Sequence, residues 1–393
     1  MQNRQARVYL DHNATTPHAP YLKTRWAELF EISGNPSSIH QDSRLPKSFL
    51  RETRNKISDY LKCSPLEIIF NSGASEGNSS VLKSVWNHFR TTRPEFLVSS
   101  VEHPSVIKCA EYLQTQGAVV HFIPVSKDGS IDISFIRQHL GPKTALVSVM
   151  YANNETGVIF PVREIADLAH AAGALMHVDC VQLLGKDDVD FESLNIDYAT
   201  FSAHKFYSLK GTGFAYVRKN APWTPLVHGG GQERGRRGGT ENITGIAALG
   251  MVFDILHEAP EKIQQMKRLR DHLERSLIER IPNVTITARK ADRLTNTSSL
   301  IIQNVDGETL LMSLDLKGFS VSTGAACSSG NPEPSPVLLA MGLTRFEAQS
   351  SLRVSLGWST TPEQIEAFIE TLVSVVQKLR DLKERENGSE YAV

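Results

Sequence analysis

The chain has 393 residues, of which 42 are Lys or Arg and 43 are Asp or Glu, so its formal net charge is −1. This balance provides no general attraction to nucleic acid or to an anionic membrane, and we expect neither as a direct partner. We expect no apolar signal-peptide core and no membrane-spanning run, which predicts a cytoplasmic protein. Cys63, Cys109, Cys180 and Cys327 form no CxxC pair, which argues against a disulfide framework and a zinc site.

Predicted strands and helices alternate through the first two thirds of the chain. Strands are predicted at 67–70, 96–101, 144–151, 174–179, 197–202 and 213–219. A helix is predicted over 161–173, with Pro161 as its first residue and Gly173 as its stop. This alternation indicates a mostly parallel sheet covered by helices on both faces, which is an α/β fold.

The pattern changes near residue 255. A long charged helix, several short apolar runs and a final amphipathic helix from Pro362 to about Glu384 predict a smaller α+β domain. We therefore predict a large domain at 16–258 and a small domain formed by 1–15 together with 259–393.

Polar residues follow several predicted strands, where parallel sheets bind their ligands. The glycine turn NSGASEGN opens a helix after residue 70 and suits a phosphate, although a capped structural turn is an alternative. His103 follows the second predicted strand. Asp179 ends another predicted strand, where a structural role in a helix cap or an ion pair is an alternative of equal weight to a ligand-binding role. Lys205 follows His204 and precedes the glycine-rich KGTG, an arrangement poorly explained by a solvated surface lysine.

One cofactor would use all four features. Pyridoxal 5'-phosphate requires a lysine for covalent attachment, a carboxylate for its pyridine nitrogen, a phosphate cradle and an aromatic ring against its own. Lys205, Asp179, the 73–77 turn and His103 would supply these in turn.

Several segments together resemble cysteine desulfurases of the class V aminotransferase group, which are pyridoxal-phosphate enzymes of fold type I. The resemblance extends from YLDHNATTP at residue 9 to LRVSLG, which ends at residue 357. It implies a seven-stranded, mostly parallel sheet in the large domain. The segments between these ends are NPSSIH (35–40), FNSGASEGN (70–78), EHPSVI (102–107), NNETGV (153–158), HVDCVQ (177–182), SAHKFYSLKGTG (202–213), GGGQERGRRGGTEN (229–242) and STGAACSSG (322–330).

The resemblance implies a role for each matching cofactor residue. Lys205 would hold the cofactor and move the substrate's Cα proton, His103 would stack on the ring and assist proton transfer, and Asp179 would pair with the pyridine nitrogen. Gln182, expected one helical turn beyond Asp179, would contact the phenolic oxygen. The residues implied at the phosphate and elsewhere around the cofactor are Gly73, Ala74, Ser75, Ser202, His204, Asn154 and Thr240. Ser75 stands where many relatives have threonine, a change that keeps the hydroxyl.

Asn35, Asn154 and Arg353 would bind the substrate carboxylate, for which a planar guanidinium is suited. Arg353 in a structural ion pair and Asn35 as a turn residue are the alternatives. Cys327, among small polar residues, would attack the sulfur of L-cysteine as a thiolate and become a persulfide.

The resemblance also implies partners. Thr240 would reach the phosphate of a neighbouring subunit, which implies a homodimer. The long segment around Cys327 resembles desulfurases that serve iron–sulfur scaffolds, but the tail DLKERENGSEYAV does not resemble a scaffold-docking tail, so the acceptor and its pathway stay open. A selenocysteine lyase, another class V lyase or transaminase, and a catalytically silent partner subunit are the alternative functions.

Overall fold

The computed structural model describes residues 7–324 and 333–390, with side chains up to residue 385 in the last helix. The strands are β1 (Val8–Tyr9), β2 (Ile68–Asn71), β3 (Glu95–Ser99), β4 (Val119–Ile123), β5 (Thr144–Ser148), β6 (Leu175–Asp179), β7 (Tyr198–Ser202), β8 (Gly213–Val217), β9 (Val284–Ile286), β10 (Thr297–Ile302), β11 (Phe319–Ser320) and β12 (Ser351–Ser355). The helices are α1 (Pro20–Thr24), α2 (Trp26–Phe30), α3 (Arg44–Leu61), α4 (Ala74–Phe89), α5 (Pro104–Thr115), α6 (Ile133–His139), α7 (Val162–Ala171), α8 (Ile243–Phe253), α9 (Ala259–Arg280), α10 (Gly307–Leu316), α11 (Pro336–Ala340), α12 (Arg345–Gln349) and α13 (Pro362–Glu390).

Seven strands form the central sheet, in the order β2-β8-β7-β6-β5-β3-β4. Each neighbouring pair is parallel except the two pairs made by β8, which runs antiparallel to β2 and β7. This confirms the α/β fold with a mostly parallel seven-stranded sheet. Sequence patterning missed β4, whose edge position leaves Val119 exposed and the next three residues half-buried, so the strand lacks a continuous buried run.

Helix boundaries differ from prediction by a few residues. Pro161 precedes α7 as its N-cap instead of opening it, whereas Gly173 adopts φ +76° just beyond the helix, as a stop signal should. The long charged helix begins at Ala259, and α13 continues to Glu390.

A second, antiparallel sheet in the order β12-β10-β9 lies in the C-terminal part of the chain. It packs with α9, α10 and α13 around a separate apolar cluster that includes Leu10, and β1 pairs in parallel with β11. The N-terminal strand therefore joins this C-terminal part. The division at 16–258 stays a prediction, since residues such as Leu294 and Leu338 also belong to the core cluster of the central sheet.

By hydropathy and length alone, the segment Ile243–Arg280 passes as a membrane span, contrary to the expectation of no such run. It contains two helices, α8 and α9, and 61% of its apolar window is buried inside the protein. Burial of α8 in the core accounts for its apolar composition.

Candidate active site

A cavity of about 360 Å³ opens at the carboxyl ends of the central strands. The turn after β2, the end of β6 and the segment after β7 contribute to its walls, and β12 contributes Arg353 from the second sheet. The predicted site residues that line it are Ala74, Ser75, His103, Asn154, Asp179, Gln182, Ser202, His204, Lys205 and Arg353. Residues far apart in sequence therefore share one cavity, as expected for the edge of a parallel sheet.

The turn between β2 and α4 has the form of an anion cradle. Gly73 adopts φ +147°, and a Cβ there would lie 3.2 Å from Ser202 Oγ. The backbone N–H of Ala74 donates to Ser202 Oγ at 2.8 Å, so the helix N-terminus faces a hydroxyl at the cavity wall. The positive end of a 16-residue helix suits a phosphate.

Asp179 is held by two donors. Asn78 Nδ2 donates to Oδ2 at 2.8 Å, and the backbone N–H of Val181 donates to Oδ1 at 3.0 Å. Thr200 Oγ1 in turn donates to Asn78 Oδ1 at 2.5 Å, which sets the direction of the Asn78 amide. A buried carboxylate with this support can face a protonated pyridine nitrogen.

Lys205 stands at the end of a short 3-10 turn that follows β7. Its Nζ donates to the backbone carbonyl of Asn13 at 2.7 Å. Burial, reinforced by the positive charge of Arg353, lowers the pKa of Lys205 to about 8 despite the opposing charges of Asp179 and Asp11. The neutral fraction near physiological pH is therefore far greater than that of a free lysine, which favours an amine that acts as nucleophile and base.

Two histidines lie in the same cavity. His103 is the N-cap of α5, and its Nδ1 accepts from the backbone N–H of Ser105 at 3.1 Å, which leaves hydrogen on Nε2 in the neutral ring. Burial lowers the pKa of His103 and lowers that of His204 to about 4. Burial therefore favours the neutral form of both rings.

Arg353 is buried, with 7% of its surface exposed. Its Nη2 donates to Asp11 Oδ1 at 2.7 Å and its Nη1 to the backbone carbonyl of Asn154 at 3.2 Å. Within the described part of the chain its Nε has no hydrogen-bond partner. The ion pair with Asp11, which the sequence left as an alternative, thus coexists with a position in the cavity wall.

Gln182 follows β6 in a turn, so the expected helical spacing from Asp179 is wrong. It still lines the cavity, and its Nε2 donates to the carbonyl of Asn13 at 3.2 Å. Asn13 and Asn78 are the contributors that sequence reasoning missed. Both lie in segments that carry the family resemblance, Asn13 in YLDHNATTP and Asn78 at the end of FNSGASEGN, which was a usable signal for each.

Four predicted residues are not among the described residues that line this cavity, and one of them, Gly73, lies in the turn next to Ala74. Asn35 is exposed, and its Oδ1 accepts from the backbone N–H of Ser37 at 2.8 Å, which is the turn arrangement considered as its alternative. Thr240 lines a second cavity of about 200 Å³ beside Asn71 and Arg237. Cys327 lies outside the described residues. The roles of Asn35, Thr240 and Cys327 stay predictions.

The cavity fits pyridoxal 5'-phosphate on three observations: the glycine-lined anion cradle, the doubly supported carboxylate and the amine with a lowered pKa. These features on a mostly parallel sheet define an enzyme of the pyridoxal-phosphate class with fold type I.

Comparison with known proteins agrees with this class. Residues 8–368 match the family described as aminotransferase class-V. A protein of Cereibacter sphaeroides named cysteine desulfurase is 41% identical over 379 residues, which cover 96% of this chain and 97% of the relative. The chain belongs to the aminotransferase class-V family.

Solved structures of similar proteins have the same fold. One, named a NifS-like protein, has a TM-score of 0.88 at 35% identity and covers 94% of this chain and 99% of its own. Another, described as SspA in complex with cysteine, has a TM-score of 0.78 at 28% identity and covers 90% of this chain and 100% of its own.

Proposed function

We propose that the protein is a cysteine desulfurase, which converts L-cysteine to L-alanine and transfers the sulfur to Cys327 as a persulfide. The observation that carries the proposal is the convergence of Lys205, Asp179 and Arg353 on one buried cavity. The relative from Cereibacter sphaeroides, named for this activity, supports it over nearly the full chain. The structure described as SspA in complex with cysteine supports the choice of amino acid.

The bound cofactor would withdraw electrons from the substrate's Cα. Asp179 would face its pyridine nitrogen, the Gly73–Ser75 turn with Ser202 and His204 would hold its phosphate, and His103 would lie against its ring. The pKa of about 8 allows Lys205 to accept the proton from Cα and to return a proton to the product.

Arg353 would orient the substrate through its carboxylate. The guanidinium is already held by Asp11 and by the carbonyl of Asn154, so little side-chain freedom is lost when a carboxylate binds. Asn154 lines the same part of the cavity.

The sulfur step is balanced without an added oxidant. The thiol of Cys327 and L-cysteine yield a persulfide and L-alanine: the substrate's carbon–sulfur bond breaks, a sulfur–sulfur bond forms, and the carbon gains hydrogen as it is reduced while sulfur is oxidised. A later thiol acceptor or reductant removes the outer sulfur and regenerates Cys327.

The test is to incubate the purified yellow protein with L-cysteine and a reductant and to quantify alanine and sulfide together. Wild-type protein should release both in equal amounts. Cys327→Ala should keep the yellow cofactor band but release neither product, whereas Cys63→Ala, at a half-buried thiol that does not line the cofactor cavity, should behave as wild type. Undiminished sulfide from Cys327→Ala contradicts the assigned nucleophile, and absence of alanine from the wild type contradicts the substrate.

We further propose a cytoplasmic homodimer that passes its sulfur to an acceptor such as an iron–sulfur scaffold. Thr240 lines a cavity separate from the cofactor cavity of its own chain, which supports a role toward a neighbouring subunit. Sedimentation should give a dimer, and mixing a Thr240→Ala subunit with a Lys205→Ala subunit should restore activity to some mixed dimers. Failure of every mixture to regain activity argues against shared sites.

A further inference from the structure

Lys186 is a buried lysine next to the cofactor cavity with no role in the proposed reaction. Only 2% of its surface is exposed. Burying a lysine amine is costly, and an apolar side chain of the same length would avoid that cost. The contacts of Lys186 therefore need an explanation.

The amine of Lys186 donates to the side-chain oxygen Oε1 of Gln182. The other end of the same amide, Nε2, donates to the backbone carbonyl of Asn13 at 3.2 Å. A lysine amine donates and a carbonyl accepts, so the two contacts select the same orientation of the amide. Because Nε2 carries two hydrogens and Gln182 lines the cavity, its second N–H is available to a ligand there.

We infer that Lys186 is a positioning residue that holds the Gln182 amide with its N–H group, and not its oxygen, toward the bound cofactor. The inference rests on cofactor binding and is independent of which amino acid is the substrate. Without Lys186, Gln182 could rotate and present its oxygen, which would repel the cofactor's phenolic oxygen.

Several charged and titratable groups lie near Lys186. Lys205 and Arg353 are positive, Asp11 is negative, and His12 is a further titratable neighbour. Burial and the two positive charges lower the pKa of Lys186 well below that of a free lysine. The amine carries hydrogens in either protonation state, so its donation to Gln182 Oε1 does not depend on its charge.

The test follows the pH at which the yellow band of the holoenzyme changes, measured without substrate. The proton that titrates is shared between the phenolic oxygen and the nitrogen that links the cofactor to the protein. When this proton is lost, negative charge concentrates on the phenolic oxygen, so a hydrogen-bond donor to that oxygen favours the deprotonated form. Lys186→Met should therefore move the transition to higher pH, by roughly one unit. Lys143→Met, at an exposed position directly before β5, is the matched control and should leave the pH of the transition unchanged.

A double variant separates positioning from a direct effect. If Lys186 acts through the amide, adding Lys186→Met to Gln182→Leu should cause no further shift. An unshifted band in Lys186→Met, or an equal shift in the Gln182→Leu background, overturns the inference. Lys186→Gln keeps a side-chain N–H donor and should stay close to wild type; a full shift in that variant also contradicts the inference, even if the methionine variant fails to fold. None of these outcomes depends on desulfurase activity.

Discussion

The amide of Asn78 donates to the carboxylate of Asp179 at 2.8 Å and so joins the first turns of α4 to the end of β6. The same helix forms the anion cradle, so one element supports two parts of the cofactor site. The helix thereby couples the position of the phosphate to that of the pyridine nitrogen.

Asn78→Ala should weaken cofactor binding roughly tenfold, the effect expected for loss of one hydrogen bond to a charged group. The measurement is titration of the apoprotein with pyridoxal 5'-phosphate, followed by absorbance. Asn87→Ala, on the exposed side of the same helix, is the control. Equal affinities of the two variants would show that the Asn78 bond does not support the site.

Attachment of the cofactor should depend on the protonation of Lys205. Since its pKa is about 8 and the neutral amine is the nucleophile, the rate of cofactor incorporation should rise as pH increases through 8 and then level off. Arg353→Gln removes a positive charge that lowers this pKa, so its curve should move to higher pH. Arg345→Gln, at an exposed site on α12, should leave the curve in place, and a rate independent of pH from 7 to 9 would contradict the prediction.

Glu155 should make stability fall with increasing pH. Burial raises its pKa to about 7, although the Ser335 hydroxyl donates to it and Arg353 is nearby. The folded state therefore holds this proton more tightly than the unfolded chain does, and the stabilisation present below pH 4.5 is lost as pH rises through 7, on the order of 3 kcal/mol.

Urea unfolding of Glu155→Gln at pH 5 and pH 8 tests this. The variant should lose less stability over that interval than the wild type, because its amide does not titrate. Glu279→Gln, exposed on α9, should retain the wild-type dependence. The same pH dependence in both variants would exclude Glu155 as its source.

Removal of one partner from the buried ion pair between Arg54 and Glu233 should strongly destabilise the fold. Arg54 Nη2 lies 2.5 Å from Glu233 Oε1, and the side chains are 10% and 2% exposed. Glu233 also accepts from the backbone N–H of Phe70 at 2.9 Å, in the strand that leads to the anion cradle. Arg54→Met leaves this buried carboxylate unpaired and should lower the free energy of unfolding by about 3–5 kcal/mol.

Chemical denaturation of Arg54→Met beside Arg51→Met measures that loss. Arg51 is exposed on the same helix, α3, and its substitution should change stability by no more than about 0.5 kcal/mol. If the two variants unfold at the same urea concentration, the buried pair contributes nothing to stability.

Much of the fold could be read from local patterns. Short β-branched runs identified most strands of the central sheet, and the motifs around Asp179 and Lys205 identified residues that do meet in one cavity. Edge strand β4 was missed because its faces are only partly buried, and Gln182 was placed on a helix because an isolated turn has no periodicity to distinguish it.

Local sequence thus specified which segments become strands and helices, since backbone preference and alternation of apolar residues act between near neighbours. Tertiary structure decided the hydrogen-bond partners. Asn78 donates to Asp179, and the Asn13 carbonyl accepts from both Lys205 and Gln182. Lys186 donates to the side-chain amide of Gln182. It also decided the lowered pKa of Lys205 and the raised pKa of Glu155. Those properties depend on desolvation and on charges contributed by residues distant in the chain, such as Arg353, which no local pattern contains.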